Sequence, residues 1–488
     1  MSDVTVLEPP LEVPRARRPP SLGGTLLAGL VLALFAGWMT WVHLTQPRID
    51  AVAAPEEALA LVVSRGMDLN EALRQAAPWE RRLHQLISAD GSDDLKQAIV
   101  WYEELAERSN DPQVDAHLAI LYGEAGDTPR VEKLTATWTG RGGMLTILAP
   151  IINTAYLGAV DTDEDAERAG LRESLAEGWF ADRLALAWAA RVGDASLRSE
   201  ASRSLETRAR ALLGRTRGLA VMNLALIATG VGALVAIWRR RRRPGALAVG
   251  RAALPPPWPG TLGVLVLIRG GAGAAFVMVA LLVVSGLLGP WFDLNHPMLE
   301  AITWPLMYVP MLVLVRQYLL APAGIGFTDA LGLRLVPGAW PRLVMVGVAL
   351  VAAGALLTTL ITLGGSRLQL TSHWSEWFDE ELAFGDAVAV AAGLAGAVAL
   401  APVFEEIVFR GILFATLRRG MGPGLAIVTS GVVFAFAHGY GTLGFVDVLW
   451  SGVLWAWAFE KTGSVLPGMM AHAVTNLMVS ITVLALLR

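Results

Sequence analysis

Uncharged apolar runs long enough to cross a bilayer constrain this chain more than any other feature. Leu22–Leu44, Gly218–Trp238 and Val465–Leu487 each lack Asp, Glu, Lys and Arg entirely. A helix needs about 20 apolar residues to span the hydrocarbon. Inside lipid every backbone N–H and C=O must be paired within the protein, which makes helices the expected form. With 54% hydrophobic and 17% charged residues and a mean hydropathy of +0.51, composition agrees, but the blocks carry the argument. The expected fold class is an all-α polytopic membrane protein.

Charge placement orders the blocks. The first, 22–44, follows Arg15, Arg17 and Arg18 and ends in Trp38, Trp41 and His43. That ending offers no small-residue cleavage site, so the block reads as an uncleaved anchor behind a cytoplasmic tail, 1–21. The second, 218–238, runs into five arginines, Arg239 to Arg243. Keeping both basic clusters in the cytoplasm makes the two blocks an out-and-back pair and places 45–217 outside as an extracytoplasmic helical domain. Within it, short amphipathic segments are separated by Gly, Asn, Asp and Pro. A faint tetratricopeptide-like stretch, Asp111 to Tyr122, has no 34-residue repeat to support it. Met144 to Val160 is apolar but short and interrupted by Pro150 and Asn153, as expected of a buried core helix.

A basic and Pro-rich cytoplasmic connector, 239–261, leads into a multi-helix core, 262–488. Its spans are expected near Leu262–Leu288, Ala301–Leu320, Val344–Leu363, Phe384–Leu400 with its continuation, Leu425–Ala437, Phe445–Phe459 and Val465–Leu487. Alternation puts Arg334, Arg342, Arg418 and Arg419 on the cytoplasmic face and the acidic 376–381 connector outside. Trp291, Trp374 and Trp377, in the outer connectors, are expected to anchor at the membrane interface. The chain has no cysteine, which excludes disulfides, thiolate nucleophiles and Cys-ligated zinc. No nucleic-acid-binding module is visible, and the arginine run beside a span reads as a topology signal.

Against this apolar background one constellation stands out: Glu405, Glu406, Arg410, His438, His472 and Asn476. Carboxylates and an arginine within a span are costly in lipid and should pair or face a wet interior. Glu406 and Arg410 are four apart, share a helix face and are expected to form a structural ion pair. Glu405 projects about 100° away and needs another role. His472 and Asn476 again share one face. Arg418 to Glu405 is about 20 Å of helix and Pro423 to His438 about 22 Å, from one common turn. Glu405 and His438 are thus expected at similar depth. A carboxylate beside an imidazole can activate water as a base or through a bound divalent metal such as zinc, with Glu405, His438 and His472 as the candidate ligands. His472 and Asn476 can complete a metal shell or donate to an oxyanion.

The segments Glu405-Glu406-Ile407-Val408-Phe409-Arg410, Phe434-Ala435-Phe436-Ala437-His438 and His472-Ala473-Val474-Thr475-Asn476 resemble the EExxxR, FxxxH and HxxxN motifs of the CPBP intramembrane proteases, which include the type II CAAX prenyl endopeptidases and bacteriocin-processing or immunity proteins. The resemblance spans roughly Leu262 to Leu487 and does not reach the first 250 residues. It implies a multi-helix intramembrane protease core that hydrolyses peptide bonds in a water-filled chamber. Glu405 and His438 match the water-activating positions, His472 and Asn476 the oxyanion-stabilising ones, and Glu406 and Arg410 the supporting ones; metal dependence stays open.

The expected partners are a peptide or membrane-protein substrate, the lipid bilayer and a protein partner for the N-terminal domain. The expected location is a cell inner membrane with the N-terminus cytoplasmic, an endoplasmic reticulum setting being the alternative. A non-catalytic scaffold or immunity-like protein, and behind it a proton-coupled transporter, are the competing functions.

Overall fold

The computed structural model of the protein describes residues 21–45, 48–87, 92–138, 140–159, 164–240, 242–243, 245–288, 301, 303–368, 370 and 372–488. Arg15, Arg17, Arg18 and Trp291 lie outside the described residues. Among the described residues there are helices and no strand, and seven helices are long and apolar enough to cross a membrane. The chain is an all-α polytopic membrane protein.

After α1 (Leu22–Thr45) comes a helical domain built from α2 (Pro55–Gln75), α3 (Pro78–Ile87), α4 (Ser92–Ala106), α5 (Pro112–Glu124), α6 (Thr128–Ala136), α7 (Met144–Leu157), α8 (Glu164–Ser174) and α9 (Trp179–Val192). Proline opens α2, α3 and α5, a position where its missing N–H has no intrahelical partner to lose. Asp111 accepts from the Gln113 amide and Asp127 from the Arg130 amide at the starts of α5 and α6, capping otherwise orphaned donors. Leu145, Leu148, Ile151 and Ile152 bury α7 in one core with Tyr102, Trp138 and Trp188.

Helix α10 (Ala195–Arg240) is 46 residues long, about 70 Å. Leu197, Ala201, Leu205 and Leu212 are buried along its first half, Gly230 and Ile237 along its second. The boundary expected at residue 217 therefore falls inside one unbroken helix that links domain to membrane core. In that core, Gly230 meets Ala352 of α13 (Trp340–Arg367): a Cβ on Gly230 would lie 2.0 Å from the Ala352 Cβ. Small residues at such crossings let membrane helices pack backbone to backbone.

The remaining core helices are α11 (Gly260–Leu288), α12 (Trp304–Leu320), α14 (Ala387–Gly420), α15 (Pro423–His438), α16 (Thr442–Thr462) and α17 (Leu466–Leu487). Leu26, Leu30 and Leu34 of α1 and Phe276, Leu282 and Leu287 of α11 are exposed, as a lipid-facing surface requires. Arg269, charged within α11, reaches the Ser21 carbonyl (2.7 Å) and the Thr25 hydroxyl (3.0 Å) at the start of α1.

The basic connectors gather at one end of the bundle. Val249 and Gly250 donate to the Thr462 carbonyl, Val465 donates to Leu331, and Arg418 pairs with Glu460 at 3.1 Å. At the other end the helical domain packs on the 373–384 connector and on Val483 and Leu487 of α17. Trp374 is 0% exposed there, inside the domain's core. It is a packing residue and not an interfacial anchor, because a domain much earlier in the chain covers the connector; Trp377 stays exposed.

Candidate active site

Helix α14 carries the two glutamates through a stretch that departs from regular α geometry. Residues Ala395–Leu400 and Glu406–Phe414 adopt the wider π form, on either side of the α-turn Ala401–Glu405. Pro402 supplies no amide to that turn, and single π stretches inside membrane helices concentrate at functional positions.

Glu406 and Arg410 are both completely buried, with Arg410 Nη1 2.8 Å from Glu406 Oε1. The guanidinium lies over the Phe434 ring at 4.1 Å and the Trp455 ring at 4.9 Å. Its N–H groups do not aim along hydrogen bonds, so charge attraction and ring faces hold it. A Cβ at Gly468 would sit 2.6 Å from Glu406 Oε2; only glycine lets the carboxylate lie against α17.

Glu405 turns elsewhere. Its Oε2 lies 3.8 Å from His438 Nε2 and 3.8 Å from His472 Nε2, and no group hydrogen-bonds to that oxygen. His438 ends α15, and its Nδ1 is 2.8 Å from the Phe434 carbonyl. A carbonyl only accepts, so Nδ1 carries the proton and a neutral ring leaves Nε2 as an acceptor. Gly439, at φ 65°, then stops the helix in the left-handed conformation that glycine adopts most readily. His472 is stacked on Trp455, with ring centroids 4.2 Å apart, and its Nδ1 is 3.5 Å from Glu406 Oε1.

The structure thus brings Glu405, His438 and His472 together, and His472 also touches the Glu406–Arg410 pair through its Nδ1. Asn476 is placed differently: its amide donates to the Ala397 carbonyl at 2.7 Å, tying α17 to the π stretch before Glu405. One of its two amide hydrogens remains for another acceptor. Zinc ligands sit about 2.0–2.2 Å from the ion, and among the described residues no three His, Asp or Glu side chains are grouped to hold a metal. The donor set Glu405, His438 and His472 does not fit a preformed centre.

Sequence reasoning missed the aromatic walls. Trp455 serves both His472 and Arg410, and Phe434 packs edge-on to His438 at 4.5 Å. A tryptophan deep within a span rather than at its ends was the available signal for Trp455. A cavity of about 890 Å³ runs beside α14, lined by Ala389, Gly393, Ala397 and Ala401 together with Trp304 and Glu381. Ala401 is one turn before Glu405.

Residues 387–478 match the family model described as Type II CAAX prenyl endopeptidase Rce1-like. No curated protein and no solved structure matches the chain. The matched stretch begins with α14, holds every member of the polar constellation and ends two residues past Asn476. Over residues 387–478 the chain is therefore similar to the Rce1-like type II CAAX prenyl endopeptidases, in agreement with the resemblance of its three polar motifs to the CPBP family.

Proposed function

We propose that the protein is an intramembrane endopeptidase in which Glu405 and His438 activate water. The observation that carries this reading is the convergence of two imidazole Nε2 atoms on one unpartnered, buried carboxylate oxygen, each at 3.8 Å. A water among them donates to Glu405 and to the His438 Nε2 acceptor. Glu405 takes its proton as the water oxygen adds to the substrate's peptide carbonyl carbon. His472, when protonated, presents Nε2–H to the resulting oxyanion while its Nδ1 faces Glu406. The free amide hydrogen of Asn476 is a second donor. Collapse of the adduct breaks the C–N bond, and the proton on Glu405 passes to the leaving amine.

The substrate is a peptide or membrane-protein segment that reaches Glu405 along the small-residue cavity beside α14. The arginine-rich end of the bundle lies in the cytoplasm of a cell inner membrane, which puts the N-terminus inside and the helical domain outside. The domain's exposed helix faces suit recruitment of a protein partner.

The decisive measurement is hydrolysis of a broad peptide pool by purified, folded Glu405→Gln. Full retained activity removes Glu405 from the chemistry, and a wild type that hydrolyses nothing favours a non-catalytic scaffold. The wild-type rate is expected to survive chelation of divalent metals. Loss on chelation, with recovery on adding zinc, would instead make the reaction metal-assisted.

A further inference from the structure

The turn that follows His438 is only three residues long, and α16 begins at once at Thr442. That helix brings no cap of its own. Gly441 stands at its N-cap and offers no side-chain hydrogen bond. The missing negative group arrives from another part of the chain: the Gly441 amide donates to Glu376 Oε2 at 3.2 Å. The same oxygen lies over the first turn of α16, where a Cβ on Gly444 would be 3.6 Å from it. A carboxylate there complements the positive end of the helix dipole and fixes the backbone on which the turn is hung.

Glu376 is itself held. It closes the short 3₁₀ turn Trp374–Glu376, and Trp374 is fully buried in the core of the N-terminal domain. One residue earlier, His373 Nε2 lies 3.3 Å from Glu104 Oε2 of α4, and its ring meets Trp101 edge-on at 6.2 Å. His373 Nδ1 is 2.8 Å from the Ser375 hydroxyl. A physical chain therefore runs from α4 through the 373–376 strap and the Gly441 amide to the turn bearing His438.

We propose that Glu376 is a positioning residue for His438, and that the N-terminal helical domain sets Glu376 through this strap. The inference rests on the reading of Glu405 and His438 as the water-activating pair. His438 has one anchor in its own helix, the Phe434 carbonyl. The second is the turn that Glu376 pins, and loosening it lets the imidazole drift from its place opposite Glu405. The domain thereby becomes part of what keeps the catalytic geometry in register.

The test uses the full chain in lipid nanodiscs and reads two signals. The first is the ¹³Cε1 resonance of His438, assigned with His438→Gln in protein labelled at its seven histidines. The second is turnover of whichever peptides the wild type cleaves from a broad pool. Glu376→Gln keeps an acceptor for the Gly441 amide and is expected to leave both signals near wild type. Glu376→Asp keeps the charge but is a methylene short; like Glu376→Ala, it is expected to shift or broaden the His438 resonance. Both are expected to lower kcat at least 10-fold with KM nearly unchanged. Glu104→Ala, remote from the membrane core, is expected to move both signals the same way by less. An unmoved His438 resonance in both Glu376→Asp and Glu376→Ala overturns the proposal, and an unmoved one in Glu104→Ala removes the domain from it. If the wild type hydrolyses nothing, the protease reading fails by itself, and the resonance still decides whether Glu376 positions His438.

Discussion

Two regions of this molecule set one arginine beside two carboxylates, and they use the same groups differently. In the N-terminal domain, Arg208 of α10 reaches Asp68 of α2 at 3.0 Å and Asp182 of α9 at 2.6 Å, and it also donates to the Ser204 hydroxyl at 2.7 Å. Both carboxylates meet one guanidinium, and three helices are clamped. In the membrane core, Arg410 meets Glu406 at 2.8 Å, while the adjacent Glu405 turns away to two imidazoles at 3.8 Å. A cluster whose two carboxylates both lie within 3.0 Å of one guanidinium holds helices together. A cluster that leaves one carboxylate oxygen unpartnered in a buried site has capacity left for chemistry.

The sharpest way to break that comparison is to neutralise the unpartnered group. Glu405→Gln is expected to lower hydrolysis by about 10²–10⁴-fold, the range for loss of a general base, with the thermal melting point in detergent nearly unchanged. A melt that falls as far as the activity would make Glu405 a structural residue like Asp68. Next in size is Arg410→Ala, which strands Glu406 in a site with no exposure. Breaking a buried pair from one side costs about 3–5 kcal/mol. The double variant Arg410→Met with Glu406→Gln is expected to regain much of that stability, because no lone charge stays buried. If the double is as unstable as the single, packing of the guanidinium on Phe434 and Trp455 matters more than charge pairing.

The two regions also differ in how much of them could be read from sequence. The spans were legible because a run such as Gly218–Trp238 has no charge to interrupt it. The Glu406–Arg410 contact was legible because a spacing of four places side chains on one helix face. Counting helix rise from a shared turn put Glu405 and His438 at one depth, and they lie 3.8 Å apart. What sequence withheld depends on chain segments that meet only in the folded molecule. Trp374 looks like an interfacial tryptophan until a domain more than 150 residues earlier covers it. Asn476 shares a face with His472, yet its 2.7 Å bond to Ala397 depends on where α14 runs. The unbroken passage of α10 from domain to membrane left no mark, because polar and apolar halves of a long helix look like two elements.

Smaller effects are expected on the domain side of the comparison. Arg208→Ala leaves Asp68 buried, and burial already pushes its carboxyl above the usual range, with the Arg208 hydrogen bond opposing that rise. The expected loss is about 3 kcal/mol at neutral pH. It should shrink as the medium is acidified, because a protonated Asp68 needs no guanidinium. Hydrogen exchange of α2 and α9 in the full chain measures it. An Arg208→Ala loss that is the same at pH 7 and pH 4 would assign the clamp to side-chain packing.

The mildest case is a buried group that is stable because it carries no charge. His117 lies in the domain core, its Nδ1 2.9 Å from the Tyr102 hydroxyl and its ring stacked on Phe180 at 3.9 Å. Burial lowers its pKa from 6.5 to about 3. Above pH 6.5 the ring is neutral folded or unfolded, and its contribution is fully present. As pH falls below 6.5 the unfolded chain gains a proton that the folded domain refuses, so stability drops progressively until the folded pKa is reached. At pH 5 the loss is about 2 kcal/mol, from 1.5 units at 1.36 kcal/mol each. Amide exchange in α5 should therefore accelerate between pH 6.5 and 5, after correction for intrinsic rates. His117→Gln, which has no proton to gain in this range, should flatten that dependence. If the slope persists in His117→Gln, acid sensitivity of the domain comes from its carboxylate clamp instead. Asp68 and Arg208 would then govern the response to pH, and the domain's uncharged core would not.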